Sequence, residues 1–349
     1  MSSAQSRFED IKILEDKLLG VQLPQELSIR AKAEIERLAR VAGSAGFSQE
    51  YQQTLRYLDW AVSLPWNKSS QEILSIEHAK KTMEANHYGL VQVKERVMEY
   101  IAVASLKKAK GEKIKAPAFL LVGLVGTGKT TMAYSIAQAL GRQFGRIPLG
   151  GMGDPLQLRG KSKFYPDSEP GQIIKVLRRV GVNNPVILLD ELDRITEEAK
   201  ADIMGVLVEL LDPEQNSKFL DYFIDFPFDL SQVLFIATAN NTSGIAQAVI
   251  DRLELIEMPS YADEEKIIIG KNYLFQRAMA ASGLSASDLT IQEEVWPLIV
   301  RPLGFDAGTR TLDRTINGIC RKVAKLKVQG TNPKLVLTKD NVRQYLPNW

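Results

Sequence analysis

The eight residues GLVGTGKT, from Gly123 to Thr130, decide how the rest of the chain is read. Gly123, Gly126 and Gly128 let the backbone turn tightly enough for successive N–H groups to face one anion. The helix expected after them adds its positive end. Lys129 is placed to reach β- and γ-phosphates, and the Thr130 hydroxyl to take a Mg²⁺ position. Thr127 and Thr131 complete the nucleotide-contacting set. The bland alternative is a glycine-rich turn that matches by chance. Context decides against it: AFLLV (118–122) precedes the loop as a strand and TMAYSIAQAL (131–140) follows it as a helix.

Working outward, further short apolar runs alternate with helical segments: QFGRI (143–147), PVILLD (185–190), VLFIATA (233–239) and LELIEM (253–258). Runs of this length without polar alternation suit strands buried on both faces, hence a parallel sheet flanked by helices. Asp190 and Glu191 end one such strand, on the edge where open α/β sheets take ligands. They read either as acids capping the next helix or as a catalytic pair. In the second reading Asp190 holds Mg²⁺ through its water shell and Glu191 activates the attacking water. The phosphate loop upstream favours the second. Asn240 ends the next run; its amide suits a water or a γ-phosphate, although Asn at a strand end is also a common turn residue.

Residues 1–85 read as a helical arm. Ile29, Ala33, Ile35, Leu38 and Ala39 recur with helical spacing. A break follows at Ala42–Gly46, and a second helix starts near Ser48 and stops at Pro65. Trp60, Leu64 and Trp66 are expected to pack helix against helix rather than to form a ligand cage. A periodic stretch from Ile76 to about Leu106 leads into KKAKGEKIK (107–115), a solvated linker without aromatics for stacking on bases. Residues 86–260 hold the α/β core. Beyond Tyr261 the segments 264–283, 288–300 and 309–328 read as helices and KLVLT (334–338) as a strand, so 261–349 forms a helical lid.

Composition excludes several classes. A chain of 349 residues suggests two or three domains. With 45% hydrophobic and 25% charged residues it is globular. No apolar run approaches the ~20 residues that cross a bilayer, and the polar N-terminus lacks a secretory pattern. Cys320 is the sole cysteine, so a cytoplasmic location is the expectation. A net charge of +2 gives no electrostatic reason to expect nucleic acid or an anionic membrane. His78 and His87 are the only histidines, which leaves little room for a histidine triad or a His-rich metal site.

The order phosphate loop, LLDE (188–191), ATAN (237–240), DRLE (251–254) and GTR (308–310) resembles an AAA+ ATPase. More narrowly it resembles the ATPase portion of Lon-type ATP-dependent proteases. The specific matches are YLDWAVSLPWNK (57–68), HYGL (87–90), VKERVMEYIAV (93–103), LRG (158–160), LLDPEQNSKF (210–219), PFDLSQVLFIATAN (227–240) and IDRLELI (250–256). They run in order from about residue 20 to the end of the chain. The resemblance implies ATP and Mg²⁺ as cofactors, unfolded or damaged polypeptides as substrates, and a homo-hexamer ring. It matches Arg252 to an arginine finger acting on a neighbour's γ-phosphate; the alternative is a salt bridge with Asp251 or Glu254. It matches Arg310 to the sensor arginine of the lid, although Arg301, Arg314 and Arg321 stand close in sequence. His87, Tyr88 and Gly89 match the segment lying against adenine, and Phe164 with Tyr165 the loop that grips polypeptide.

Departures from the pattern bear on function. The chain stops where a peptidase domain would start, and most of the N-terminal substrate-binding region is missing. No peptidase activity is therefore expected from this chain alone, and a separate peptidase is a possible partner. In the gripping loop Pro166 stands on the aliphatic position, followed by Asp167 and Glu169, and the loop starts Gly151-Met152-Gly153-Asp154. The segment after Asp193, read as the helix ITEEAKADIMGVLVELL, lacks a Gly-Asp-Pro break. Leu124-Val125 replaces Pro-Pro in the phosphate loop, which the backbone amides and Lys129 tolerate. Three functions remain open: a polypeptide unfoldase or translocase, a non-proteolytic remodelling chaperone, and, weakest on charge, a DNA-associated AAA+ protein.

Overall fold

The computed structural model describes residues 3–42, 49–112, 114–301, 307–330 and 334–347. Five helices open the chain: α1 (Ser3–Leu19), α2 (Gln25–Ala42), α3 (Gln49–Ser63), α4 (Ile76–Asn86) and α5 (Val91–Ala109). The break expected after Ala42 falls on residues 43–48, outside the described residues. The buried stripe of α2 is Leu27, Ala31, Ile35 and Leu38. Ile29 and Ala33, expected on that face, point outward, with Ile29 62% exposed. They too are four apart, so spacing alone fits either stripe.

The periodic stretch from Ile76 to about Leu106 forms two helices, α4 and α5. Gly89 and Leu90 take left-handed conformations (φ +61° and +51°), which end one helix and redirect the chain into the next. Ser75 caps α4 by accepting the N–H of His78 at 3.2 Å. Helix α5 runs through Lys108, so the basic run begins as helix rather than linker.

The core follows as β1 (Ala118–Val122), α6 (Lys129–Ala139), β2 (Phe144–Pro148), α7 (Leu156–Arg159), α8 (Gln172–Val180), β3 (Val186–Asp190), α9 (Lys200–Leu211), β4 (Phe219–Asp221), β5 (Phe226–Phe228), β6 (Leu234–Ala239), α10 (Gln247–Ile250) and β7 (Glu254–Glu257). The five expected runs form one parallel sheet in the order β2-β3-β6-β1-β7. Along β3, Val186 and Leu188 join the apolar layer of Met132, Ile136, Val97 and Ile101. Ile187 and Leu189 join the opposite layer with Ile173, Leu177 and Leu207. Burial on both faces removes polar alternation, and each such side chain contributes roughly 1.5–3 kcal/mol.

The arm covers the second of these layers. Leu58, Val62 and Leu64 are buried in it. Trp66 packs on Phe228 and Phe226, with ring centroids 4.8 and 5.8 Å apart, and donates its indole N–H to the Ala61 carbonyl at 2.8 Å. It therefore packs against the antiparallel hairpin β4–β5, not helix against helix as expected. Trp60 lies under the Arg178 guanidinium, 4.2 Å from the ring centroid. The segment 195–199, expected to be helical, is not; α9 starts at Lys200.

The lid comprises α11 (Asp263–Ile269), a π-helical segment at Gly270–Phe275, α12 (Gln276–Ala281), β8 (Leu289–Ile291), α13 (Trp296–Val300), α14 (Arg310–Val328), β9 (Leu335–Leu337) and α15 (Val342–Tyr345). Residues 289–291, expected to be helical, pair in parallel with β9. Ile316, Ile319 and Trp296 join the sheet layer that holds Met132. The architecture is the expected α/β class, a parallel sheet flanked by helices with a helical arm before it and a helical lid after. No helix among the described residues is long and apolar enough to cross a membrane.

Candidate active site

A cavity of about 770 Å³ opens at the C-terminal edge of β1, β3 and β6 and is bordered on one side by the lid residues Tyr273, Arg277 and Arg310. The phosphate loop forms its floor. Gly126 (φ +85°) and Gly128 (φ +95°) hold conformations that side chains rarely adopt, and α6 starts directly after them. Lys129 folds back on its own loop, donating from Nζ to the carbonyls of Gly123 (2.5 Å) and Leu124 (3.0 Å) and to Asn240 Oδ1 (3.2 Å). Burial lowers its pKa, against the pull of Asp193 and Asp190. An arriving phosphate would replace those carbonyls as the partner of the amine.

The strand ends supply the acids. Asp190 is 5% exposed, and its Oδ1 accepts from Thr238 Oγ1 at 2.5 Å and from Thr130 Oγ1 at 3.5 Å. Glu191 turns off the strand in a left-handed conformation, φ +60°. For a residue with a side chain this costs about 1–2 kcal/mol. Glu191 lines the cleft, and Arg194, which does not, lies 3.4 Å from its Oε1. Asn240 donates both its backbone and amide N–H to Asp193 Oδ2, at 3.1 and 3.2 Å. That contact turns its Oδ1 toward Lys129.

His87 and Tyr88 line the opposite wall. His87 is 9% exposed, with Nε2 3.0 Å from Ser135 Oγ, and burial pushes its pKa down to about 4. The unfolded chain takes that proton near the ordinary 6.5. Stability is therefore lost as pH falls from 6.5 toward 4, by about 2 kcal/mol between pH 7 and pH 5. Urea unfolding at the two pH values is expected to show this loss, and His87→Gln to remove most of it.

From the lid, Arg310 begins α14 and lines the cleft beside Arg277, which pairs with Asp313 at 3.0 Å. Gly308 makes the approach possible: a Cβ there would lie 2.5 Å from Gly126 C and Val125 O. Thr309 N–H then donates to the Gly126 carbonyl at 2.9 Å. Gly308→Ala is expected to cost about 1–3 kcal/mol of lid docking by overpacking. Calorimetric titration is expected to show nucleotide affinity down by about tenfold.

The chain is similar to known proteins. Residues 119–260 match the ATPase family associated with various cellular activities (AAA), and residues 280–336 match the Lon protease AAA+ ATPase lid domain. Similar curated proteins include Lon protease 2 of Herpetosiphon aurantiacus, 40% identical over 90% of this chain and 38% of its own length. The Lon protease of Elusimicrobium minutum is 41% identical over 97% of this chain and 40% of its own length. That of Dictyoglomus thermophilum is 41% identical, over 97% and 42%. The chain carries a Lon-type AAA+ ATPase module. It spans about two-fifths of the length of the relatives it matches.

Not every expected residue meets in the module's cleft. Gly126, Thr127, Gly128, Lys129, Thr130, Thr131, Asp190, Glu191, Asn240, Arg310, His87 and Tyr88 do. Gly123 packs against Met258 and accepts Lys129 through its carbonyl, and Gly89 serves the turn between α4 and α5; neither lines the cavity. Arg252 lies apart from its own cleft. It pairs with Asp212 through Nε (3.2 Å) and a terminal nitrogen (3.1 Å), not with Asp251 or Glu254. Phe164 (80% exposed) and Tyr165 (55%) project from the loop between α7 and α8, well outside the cavity lining. Sequence reasoning missed Arg146, Asp193, Tyr261 and Arg277. The spacing of Asp193 three residues after Asp190 was the available signal.

Proposed function

We propose that the module binds ATP with Mg²⁺ in this cleft and hydrolyses it to ADP and phosphate. The convergence of Lys129, Thr130, Asp190, Glu191, Asn240 and Arg310 on one cavity supports this reading. Thr130 and Asp190 offer hard oxygen donors on one side of the loop, the set Mg²⁺ takes alongside phosphate oxygens and water. Bound there, the metal would offset charge on the phosphates. Lys129 binds the β- and γ-phosphates, and Asn240 holds the water in line. Glu191 accepts its proton, and Arg310 adds positive charge from the lid as the bond breaks. His87 and Tyr88 provide the wall for the base.

Arg252 completes the site in trans. Its position away from its own cleft supports a finger offered to the neighbouring copy, so the working form is a ring, taken here as a homo-hexamer. Cycles of lid movement drive the Tyr165 loop against unfolded polypeptide. We assign no peptide-bond cleavage to these residues, and we place the protein in the cytoplasm. Calorimetry with ATP and ADP tests the core of the proposal; absence of nucleotide uptake by folded protein would sink it.

One observation favours remodelling without threading as a second reading. The 161–170 loop is fastened down: Arg56 donates to Ser168 Oγ at 3.1 Å, Lys163 stands 4.0 Å over the Tyr57 ring, and Lys161 pairs with Asp167 at 2.5 Å. An unstructured protein that stimulates ATP turnover, with the stimulation lost in Tyr165→Ala, supports threading. Turnover indifferent to unstructured protein supports the second reading.

A further inference from the structure

Arg146 has no part in the mechanism above. It stands near the C-terminal end of β2, the strand whose Pro148 sits opposite Asp190 in the sheet, and it lines the nucleotide cleft. Its Nε and one terminal nitrogen both reach Asp190 Oδ2, at 2.8 and 2.6 Å. Two threonines, Thr238 and Thr130, hold the other oxygen. The carboxylate expected to face a metal is thus already engaged on both oxygens, and the cation paired with it within 4 Å among the described residues is an arginine, with Lys129 acting on it from farther off.

The exposure of the pair is uneven. The Arg146 side chain is 54% exposed and that of Asp190 is 7% exposed. A carboxylate withdrawn from water needs a counter-charge or further hydrogen bonds to stay ionised. A half-exposed guanidinium on a long stem supplies one and can leave at modest cost. Two cations on the same oxygen repel each other, so metal and guanidinium exclude one another there.

We propose that Arg146 is the counter-cation of Asp190 in the metal-free cleft and competes with Mg²⁺ for that carboxylate. It thereby sets the Mg²⁺ concentration at which nucleotide is held. The inference rests on the nucleotide-binding reading of the cleft. Once displaced, the guanidinium remains in a cavity it already lines, and its planar fork suits phosphate oxygens. Arg146 is accordingly a positioning residue, acting through Asp190.

The test is fluorescent ADP binding to the full chain, measured in excess EDTA and at graded Mg²⁺, with no turnover involved. Arg146→Ala is expected to lower the Mg²⁺ half-saturation point by about three- to fivefold, the upper part of the range for a half-exposed ion pair. Binding in EDTA is expected to weaken by a similar factor, because Asp190 then repels the phosphates. Arg146→Lys is expected to shift both in the same directions by about twofold. Arg179→Ala, which removes an exposed arginine on α8, changes neither. An unchanged or raised Mg²⁺ midpoint in Arg146→Ala overturns the proposal, as does a parallel fall of both affinities, the mark of a damaged site. Should Arg146→Ala fail to fold, an unshifted midpoint in Arg146→Lys overturns it equally. Wild-type protein that binds no nucleotide refutes the reading of the cleft itself, whereas normal wild-type binding with no midpoint shift refutes only the role of Arg146.

Discussion

Glu191→Gln is expected to lower ATP turnover by about a hundredfold or more while leaving nucleotide affinity within about twofold of wild type, the signature of a lost proton acceptor. Glutamine keeps the length and shape of the side chain. The left-handed backbone at residue 191 and its N–H bond to Thr238 Oγ1 at 3.0 Å do not depend on the carboxylate. On the proposed reading, Lys129, Thr130 and Arg310 remain to hold the phosphates. Phosphate release measured beside a fluorescent nucleotide titration separates the two quantities. Unchanged turnover would place the base elsewhere. A matching collapse of affinity would make Glu191 a binding residue.

Arg252→Ala is expected to cost about 10³-fold in turnover, the lower end of what arginine fingers supply. Its own nucleotide affinity should hold, since the side chain lies outside its own cleft on Asp212. Mixing then gives the decisive result. Arg252→Ala subunits keep an intact Glu191, and Glu191→Gln subunits keep an intact finger, so a mixture of two nearly inactive proteins is expected to regain turnover. Recovery is impossible if Arg252 acts within its own chain. Separate melting curves check that loss of the Asp212 partner has not unfolded the variant.

The inner strands β1, β3 and β6 were legible because burial on both faces leaves unbroken apolar runs. The edge strands β2 and β7 are exposed along one face, against expectation, yet all five runs became strands within a residue or two. The hairpin at Phe219–Phe228 was not legible, since three-residue strands carry no measurable period and Pro227 argues against a strand. The same brevity hid β8 inside a stretch that otherwise reads as helix. In α2 the error lay in the choice of face, with two apolar stripes equally spaced along one helix. Of the site, the phosphate loop and the Asp190–Glu191 pair are local motifs and stood out. Arg146 works through Asp190, forty-four residues away, which no local spacing encodes. Asp193 offered only its place three residues after Asp190 as a signal, and its bond to Asn240, forty-seven residues away, offered none. The partner of Arg252, Asp212, is forty residues away and escaped for the same reason.

The contacts of Arg56 and Tyr57 with the 161–170 loop, to Ser168 and Lys163, also fix where mechanical load would go. Tension on Tyr165 passes sideways into α3, which is wedged against the phenylalanines Phe223, Phe226 and Phe228 by Tyr57 and the Trp66 ring beyond its end. On the proposed threading reading, the arm would be a buttress that takes the recoil of each stroke and would leave the geometry around Lys129 and Glu191 unloaded.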